Sequence, residues 1–153
     1  GLCAGIDGLD VGQYSFAYFL QQGGTLRVRD KANSADSGLL RVQGANGEIG
    51  VFRMTGGTAA CGTLYQSWGN LGTAYSAVIM DGTNAAFTTG KVSVNQKVAT
   101  AQSHLVLNAG VFTCAGMCKR KAESEACVSF GGGTLAVAAL NIMGISSNSA
   151  SGE

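Results

Sequence analysis

The sequence contains no proline and a single histidine, His104, among its 153 residues. Without proline, the turns have to be made by Gly, Asn and Asp, and glycine is abundant at 24 residues. One imidazole excludes a transition-metal site that needs several. No Ser/His/Asp or Cys/His set is resolvable around His104, which reads as a structural histidine rather than a base. Charge is scarce too: 12% of residues are charged and the net charge is +1. That excludes electrostatic capture of nucleic acid or of an anionic membrane, because each needs a concentrated basic face. Long apolar runs are missing. The nearest candidate, Thr134–Ile145, is broken by Asn141 and Gly144. It falls short of the ~18 residues that a membrane helix needs, so no membrane span is expected.

What is present fits one β-rich domain over residues 1–153. Hydrophobic residues make up 46%, enough for a core. The start, Gly1-Leu2-Cys3, has no initiator Met and no basic leader. A processed chain, or a fragment or repeat of a longer one, is expected. Strands are predicted at 13–20, 25–29, 39–43, 48–54, 74–80, 91–95, 104–108 and 134–143. Thr25–Arg29 and Lys91–Asn95 alternate with period two, as a half-solvated strand does. Asn46-Gly47 and Asp81-Gly82 are the strongest hairpin signals. One short helix is predicted over Cys114–Cys127, where Ala, Glu, Lys, Arg and Met are good helix formers. No repeat of fixed period stands out. The fold class expected is all-β: a Greek-key sandwich or barrel of about eight strands with one short helical, Cys-bounded excursion. Both faces of the closing strand, Leu135, Val137, Ala139 and Ala136, Ala138, Leu140, are expected to be covered.

The five cysteines are Cys3, Cys61, Cys114, Cys118 and Cys127. Disulfides are the leading reading for a small domain with a processed start, and they imply a secreted protein. Cys114 or Cys118 with Cys127 would staple the charged stretch Lys119–Glu125, and Cys3 could pair with Cys61. A zinc site of Cys114, Cys118, Cys127 and His104 matches no common spacing, so no metal ligand is assigned. Buried, inert thiols are the third possibility. Gly131-Gly132-Gly133-Thr134 is followed by a core strand rather than a helix, unlike a phosphate cradle. Lys119-Arg120-Lys121 with Glu123 and Glu125 reads as a solvated helical face. Trp68, flanked by Tyr65 and Tyr75, is a core or interface anchor and the candidate ligand-binding cluster.

Three stretches resemble the Cu,Zn superoxide dismutase family. Ile6-Asp7-Gly8-Leu9-Asp10-Val11-Gly12-Gln13-Tyr14-Ser15-Phe16-Ala17-Tyr18-Phe19 is similar to that family's I-x-G-L-x-x-G-x-H-G-F-H-V-H segment. Ser103–Gly110 resembles the strand ending in its last copper ligand, and Gly132–Ile142 resembles its closing strand. Trp68-Gly69-Asn70-Leu71 is similar to its L-G-N turn. The resemblance implies a Greek-key fold and, with Ala17, Phe19 and Asn108 where that family has copper ligands, a domain without the metal site. A second resemblance, of Ser129–Leu135 to the final strand of immunoglobulin variable domains, implies the same architecture.

These readings converge on a secreted, non-enzymatic structural or assembly subunit without cofactor, one that self-associates or binds other protein subunits. No charged residue occurs from Ala126 to Gly152, and charge-poor surfaces suit protein–protein contacts. The alternatives are a superoxide dismutase with an unusual metal site, or a carbohydrate- or small-ligand-binding sandwich using Trp68, Tyr65 and Tyr75. In the first reading, uncharged edges recruit a strand from a neighbouring chain, or the loop between Leu39 and Met54 folds back to supply one.

Overall fold

A computed structural model describes residues 8–12, 16–30, 36–42, 49–67, 75–94, 101–119 and 125–141. The described residues form twelve strands and no helix. These are β1 (Gly8–Val11), β2 (Ala17–Gln21), β3 (Thr25–Arg27), β4 (Leu39–Val42), β5 (Ile49–Met54), β6 (Gly57–Gln66), β7 (Tyr75–Met80), β8 (Ala85–Val94), β9 (Gln102–Leu107), β10 (Val111–Lys119), β11 (Glu125–Phe130) and β12 (Thr134–Asn141). One sheet has seven strands, in the order β1-β4-β6-β8-β10-β12 with β3 also paired to β6. The other has five, in the order β11-β9-β7-β5-β2. Every pairing is parallel.

The Greek-key expectation is therefore overturned, and with it the fold that the dismutase and immunoglobulin resemblances implied. From β4 onward, consecutive strands alternate between the two sheets, so each pass of the chain lays a new strand beside the one laid a pass earlier. The result is a stack of parallel rungs, a solenoid in which every rung contacts its neighbours. Thr58 pairs with Ala86, Ala86 with Val111 and Val111 with Thr134, offsets of 28, 25 and 23 residues. The shrinking offset explains why no fixed period was visible.

Long strands of the seven-stranded sheet bend at one aligned place. The ladder skips Gly62, Gly90, Ala115 and Ala138. Across the bend, the buried positions jump by three residues, from Cys61 to Leu64, Thr89 to Val92 and Cys114 to Met117. Each long strand thus has a first and a second limb. β3 pairs with the first limb of β6 and β4 with the second, so the break between β3 and β4 falls at this corner. Buried Thr89 satisfies the bend by donating to the carbonyls of Gly62 and Lys91, at 3.3 and 3.1 Å.

Inward positions are apolar and stack from rung to rung. Phe19 lies over Phe52 at 5.2 Å, Phe52 meets Phe87 edge-on, and Phe87 stacks on Phe112 at 5.0 Å. Outward positions of the seven-stranded sheet are largely Thr, a good strand former on a solvated face, with Ala and Gly between them. At the corner leading back into that sheet, Gly24, Gly57, Gly110 and Gly133 all have φ between 71° and 83°, a region an L side chain enters only with strain.

Three local expectations are also corrected. Cys114–Cys127 is not a helix: it contributes β10 and β11, because Val92 and Val137 hold ladder places beside Met117 and Cys114. Pairing on both sides overrides a helix propensity that Gly116 already weakens. Asp81-Gly82 leads into a tight turn centred on Thr83-Asn84, closed by the Ala85 N–H on the Gly82 carbonyl, but it is not a hairpin, since β7 and β8 lie in different sheets. Asn46-Gly47 lies outside the described residues. The closing strand is not covered on two faces: Leu135 and Val137 are half-buried, and Leu140 is 56% exposed.

Candidate functional site: the open end of the stack

The four described cysteines do not make a staple. Cys61, Cys114, Cys118 and Cys127 are free thiols, and Cys3 lies outside the described residues. Cys114 and Cys118 stand on β10 in one sheet and Cys127 on β11 in the other, so chain proximity does not bring them together. The disulfide expectation is overturned for these four, and the compartment inference loses that footing. Cys61 donates to Thr89 Oγ1 at 3.4 Å, and burial pushes its thiol pKa up to about 11. Desolvation also raises that of Cys114. Raised values make these thiols poor nucleophiles. Among the described residues, no group of three or more His, Cys, Asp or Glu is placed to hold a metal ion, and no helix is long and apolar enough to cross a membrane.

The aromatic cluster is described only in part. Trp68 lies outside the described residues. Tyr65 sits half-buried on β6 and Tyr75 is 43% exposed on β7, in the other sheet. Tyr75 instead stacks on His104, with ring centroids 6.4 Å apart, and the His104 carbonyl accepts a hydrogen bond from buried Gln66. Beside it Ser67, Ser76 and Ser103 form a closed triangle of buried hydroxyls at 2.8 to 3.0 Å. Each hydroxyl satisfies another, so the triangle ties β6, β7 and β9 together without presenting a reactive group to solvent. The outer face of the five-stranded sheet is apolar, with Tyr18, Leu20, Ile49 and Tyr75 each more than two-fifths exposed. Its one guanidinium, Arg53, is held protonated by hydrogen bonds to Tyr18 and to Asp81.

The most unusual surface is the end of the stack at β11 and β12. Val128 pairs in register with Leu105, Phe130 with Leu107 and Leu140 with Met117. The earlier members of these pairs are 2%, 1% and 4% exposed, whereas Val128, Phe130 and Leu140 are 37%, 59% and 56% exposed. The side chains aim inward, as the whole column does, but among the described residues no further rung lies on them. β12 belongs to the rung beyond β11, so it overhangs β11 by one strand and leaves a step. A groove of about 340 Å³ lies there, walled by Leu135 and Leu140, with Val128 and Phe130 beside Val94 and Met117. Among the described residues no strand pairs with the outer edges of β11 and β12, which lie beside it.

The groove's lining is apolar apart from the free thiol of Cys118, and it carries no charged residue. What it can do is accept a strand, which pairs with the edge and buries Val128 and Phe130. Sequence reasoning missed the site because an exposed Phe130 reads like a core residue. The usable signal was the absence of charge after Glu125. No family model, curated protein or solved structure matches the chain.

Proposed function

We propose that this chain is a structural assembly subunit, without enzymatic activity of its own, that accepts a β-strand from another polypeptide at its open end. The observation that carries the reading is the exposure of Val128, Phe130 and Leu140, whose equivalents one rung earlier are buried. Burying three half-exposed apolar side chains contributes about 1 kcal/mol each, before the edge hydrogen bonds are counted. Natural edges are blunted by charge or by proline, and β12 has neither. The lining also defines the occupant: an uncharged, extended segment with apolar side chains at alternate positions, since a carboxylate or ammonium buried there would be unpaired.

The test is a fluorescent peptide of alternating Thr and Val, titrated with the protein at sub-micromolar concentration and followed by anisotropy. Saturable binding is expected, with at least a tenfold loss in Phe130→Glu. An absence of binding, together with β11 amides that exchange freely at every protein concentration, would sink the reading.

A further inference from the structure

The step at the open end is defined enough to say what fits it. The last full turn of chain climbs from β11, through the first limb of β12, to its second limb, so β11 is the low side and the second limb the high side. A screw ramp of this kind is unchanged in form by a half-turn about an axis perpendicular to the stack. Two identical ends brought face to face by that half-turn therefore meet with the high side of each over the low side of the other. We propose that the strand accepted by the open end is β12 of a second copy, with the two chains joined end to end across a two-fold axis. This inference rests on the strand-accepting reading above and adds the identity of the donor.

Two competing occupants fit less well. The chain's own continuation, at the 23-residue offset of the last rung, would bring Ser149, Ser151 and Glu153 over Ala126, Val128 and Phe130. Two hydroxyls and a carboxylate offer no apolar cover for a Phe. A copy stacked head to tail in register meets a different problem. The first described strand, β1, lies over β4 in the line of the second limbs, so the steps at the two ends stand one limb apart. Closing the contact at β1 would leave a strand-wide gap over β11. A half-turn leaves none, and it yields a closed pair rather than an open fibre.

The half-turn also sets a register. First limbs, running in opposite directions, pair with one another about their midpoint, Ala136. Leu135 then stands opposite Val137 of the other copy and Ala136 opposite its own counterpart, keeping inward residues on the inward face. Leu140 on each second limb comes down on β11, over Val128 and Phe130. Ala126–Asn141 carries no charged residue, so these stretches bring no like charges together. Each side contributes β11 and β12, fewer than the ~20–30 residues of a standard interface, so dissociation in the micromolar range is expected.

The experiment uses the full chain carrying Cys127→Ser with Ala136→Cys, oxidised at tens of micromolar and examined by sedimentation and non-reducing electrophoresis. Residues directly opposite in an antiparallel pair have Cα atoms about 4.5–5.5 Å apart, within disulfide reach. Ala136→Cys should give a covalent dimer, while Thr113→Cys, one rung down, should not. Phe130→Glu, at an exposed position the fold tolerates, should raise the dimer dissociation constant at least tenfold. Open-ended polymers, or a dimer that cross-links equally at both positions, would overturn the two-fold arrangement and leave the strand-accepting reading standing. A chain that binds the Thr/Val peptide yet stays monomeric at hundreds of micromolar would do the same. A monomer that binds no peptide removes both.

Discussion

Cys61 and Cys114 face the core from β6 and β10 with Thr89 between them, and their reactivity follows from that placement. At pH 8 an alkylating reagent should modify exposed Cys127 quickly and reach Cys61 and Cys114 only after unfolding, as peptide mapping over time would show. Because the folded-state pKa of Cys61 is raised from 9.0 to about 11, both states hold the proton below pH 9 and stability is unaffected there. Between pH 9 and 11 the unfolded chain loses its proton first. Stability therefore falls as pH rises, by about 3 kcal/mol in all. Denaturant titrations at pH 7 and 11 should show that drop, with a smaller one in Cys61→Ala. Backbone conformation is equally testable at single residues. Gly57 has φ 83°, and a Cβ there would lie 2.5 Å from the Gly24 carbonyl oxygen, whereas a Cβ at Gly23 meets nothing within 4 Å. Gly57→Ala should cost about 1–2 kcal/mol or more, while Gly23→Ala should be near neutral in the same titration.

At the scale of the element, burial by rung decides what a substitution does. Val92 is fully buried in the middle of the stack, while Val137, on the last rung, is only half-buried. Val92→Asp should prevent folding, because an unpaired buried carboxylate costs several kcal/mol. Val137→Asp should fold and melt cooperatively at a lower temperature. Calorimetry on both separates this structure from a sandwich whose closing strand is covered on two faces. Much of the strand content was legible: β2, β3, β4, β5, β7, β8, β9 and β12 all overlap predicted strands. β6 was missed because Gly57-Thr58-Ala59-Ala60-Cys61-Gly62 is built of small residues that lack strand propensity. Its inward places are filled by stacking on Phe87 and Thr89 rather than by bulk of their own. The overlooked signal was Gly-Gly-Thr, which stands at 23–25, 56–58 and 132–134, each time at the same corner of a rung. Its recurrence marks a repeat whose length varies through corner insertions.

Across the whole molecule, the parallel stack explains why composition was read correctly while topology was not. Low charge, abundant Gly and short apolar runs suit any two-layer β architecture, and the choice between antiparallel and parallel pairing lies in connections that no short motif encodes. The candidate site was hidden for the same reason. Val128, Phe130 and Leu140 belong to one surface only once the rungs are stacked, and the uncharged sequence after Glu125 is its sole local trace. A stack whose described residues leave an end unfinished has stability that depends on what covers that end. Thermal unfolding should accordingly shift upward with protein concentration, and Phe130→Glu should remove the dependence. The most direct measurement is hydrogen exchange read by mass spectrometry at sub-micromolar and at hundreds of micromolar protein. The account predicts that protection rises with concentration in peptides covering 125–141 and stays constant in those covering β6 and β8. Equal exchange of 125–141 at both concentrations, or a rise spread evenly over all rungs, would contradict it.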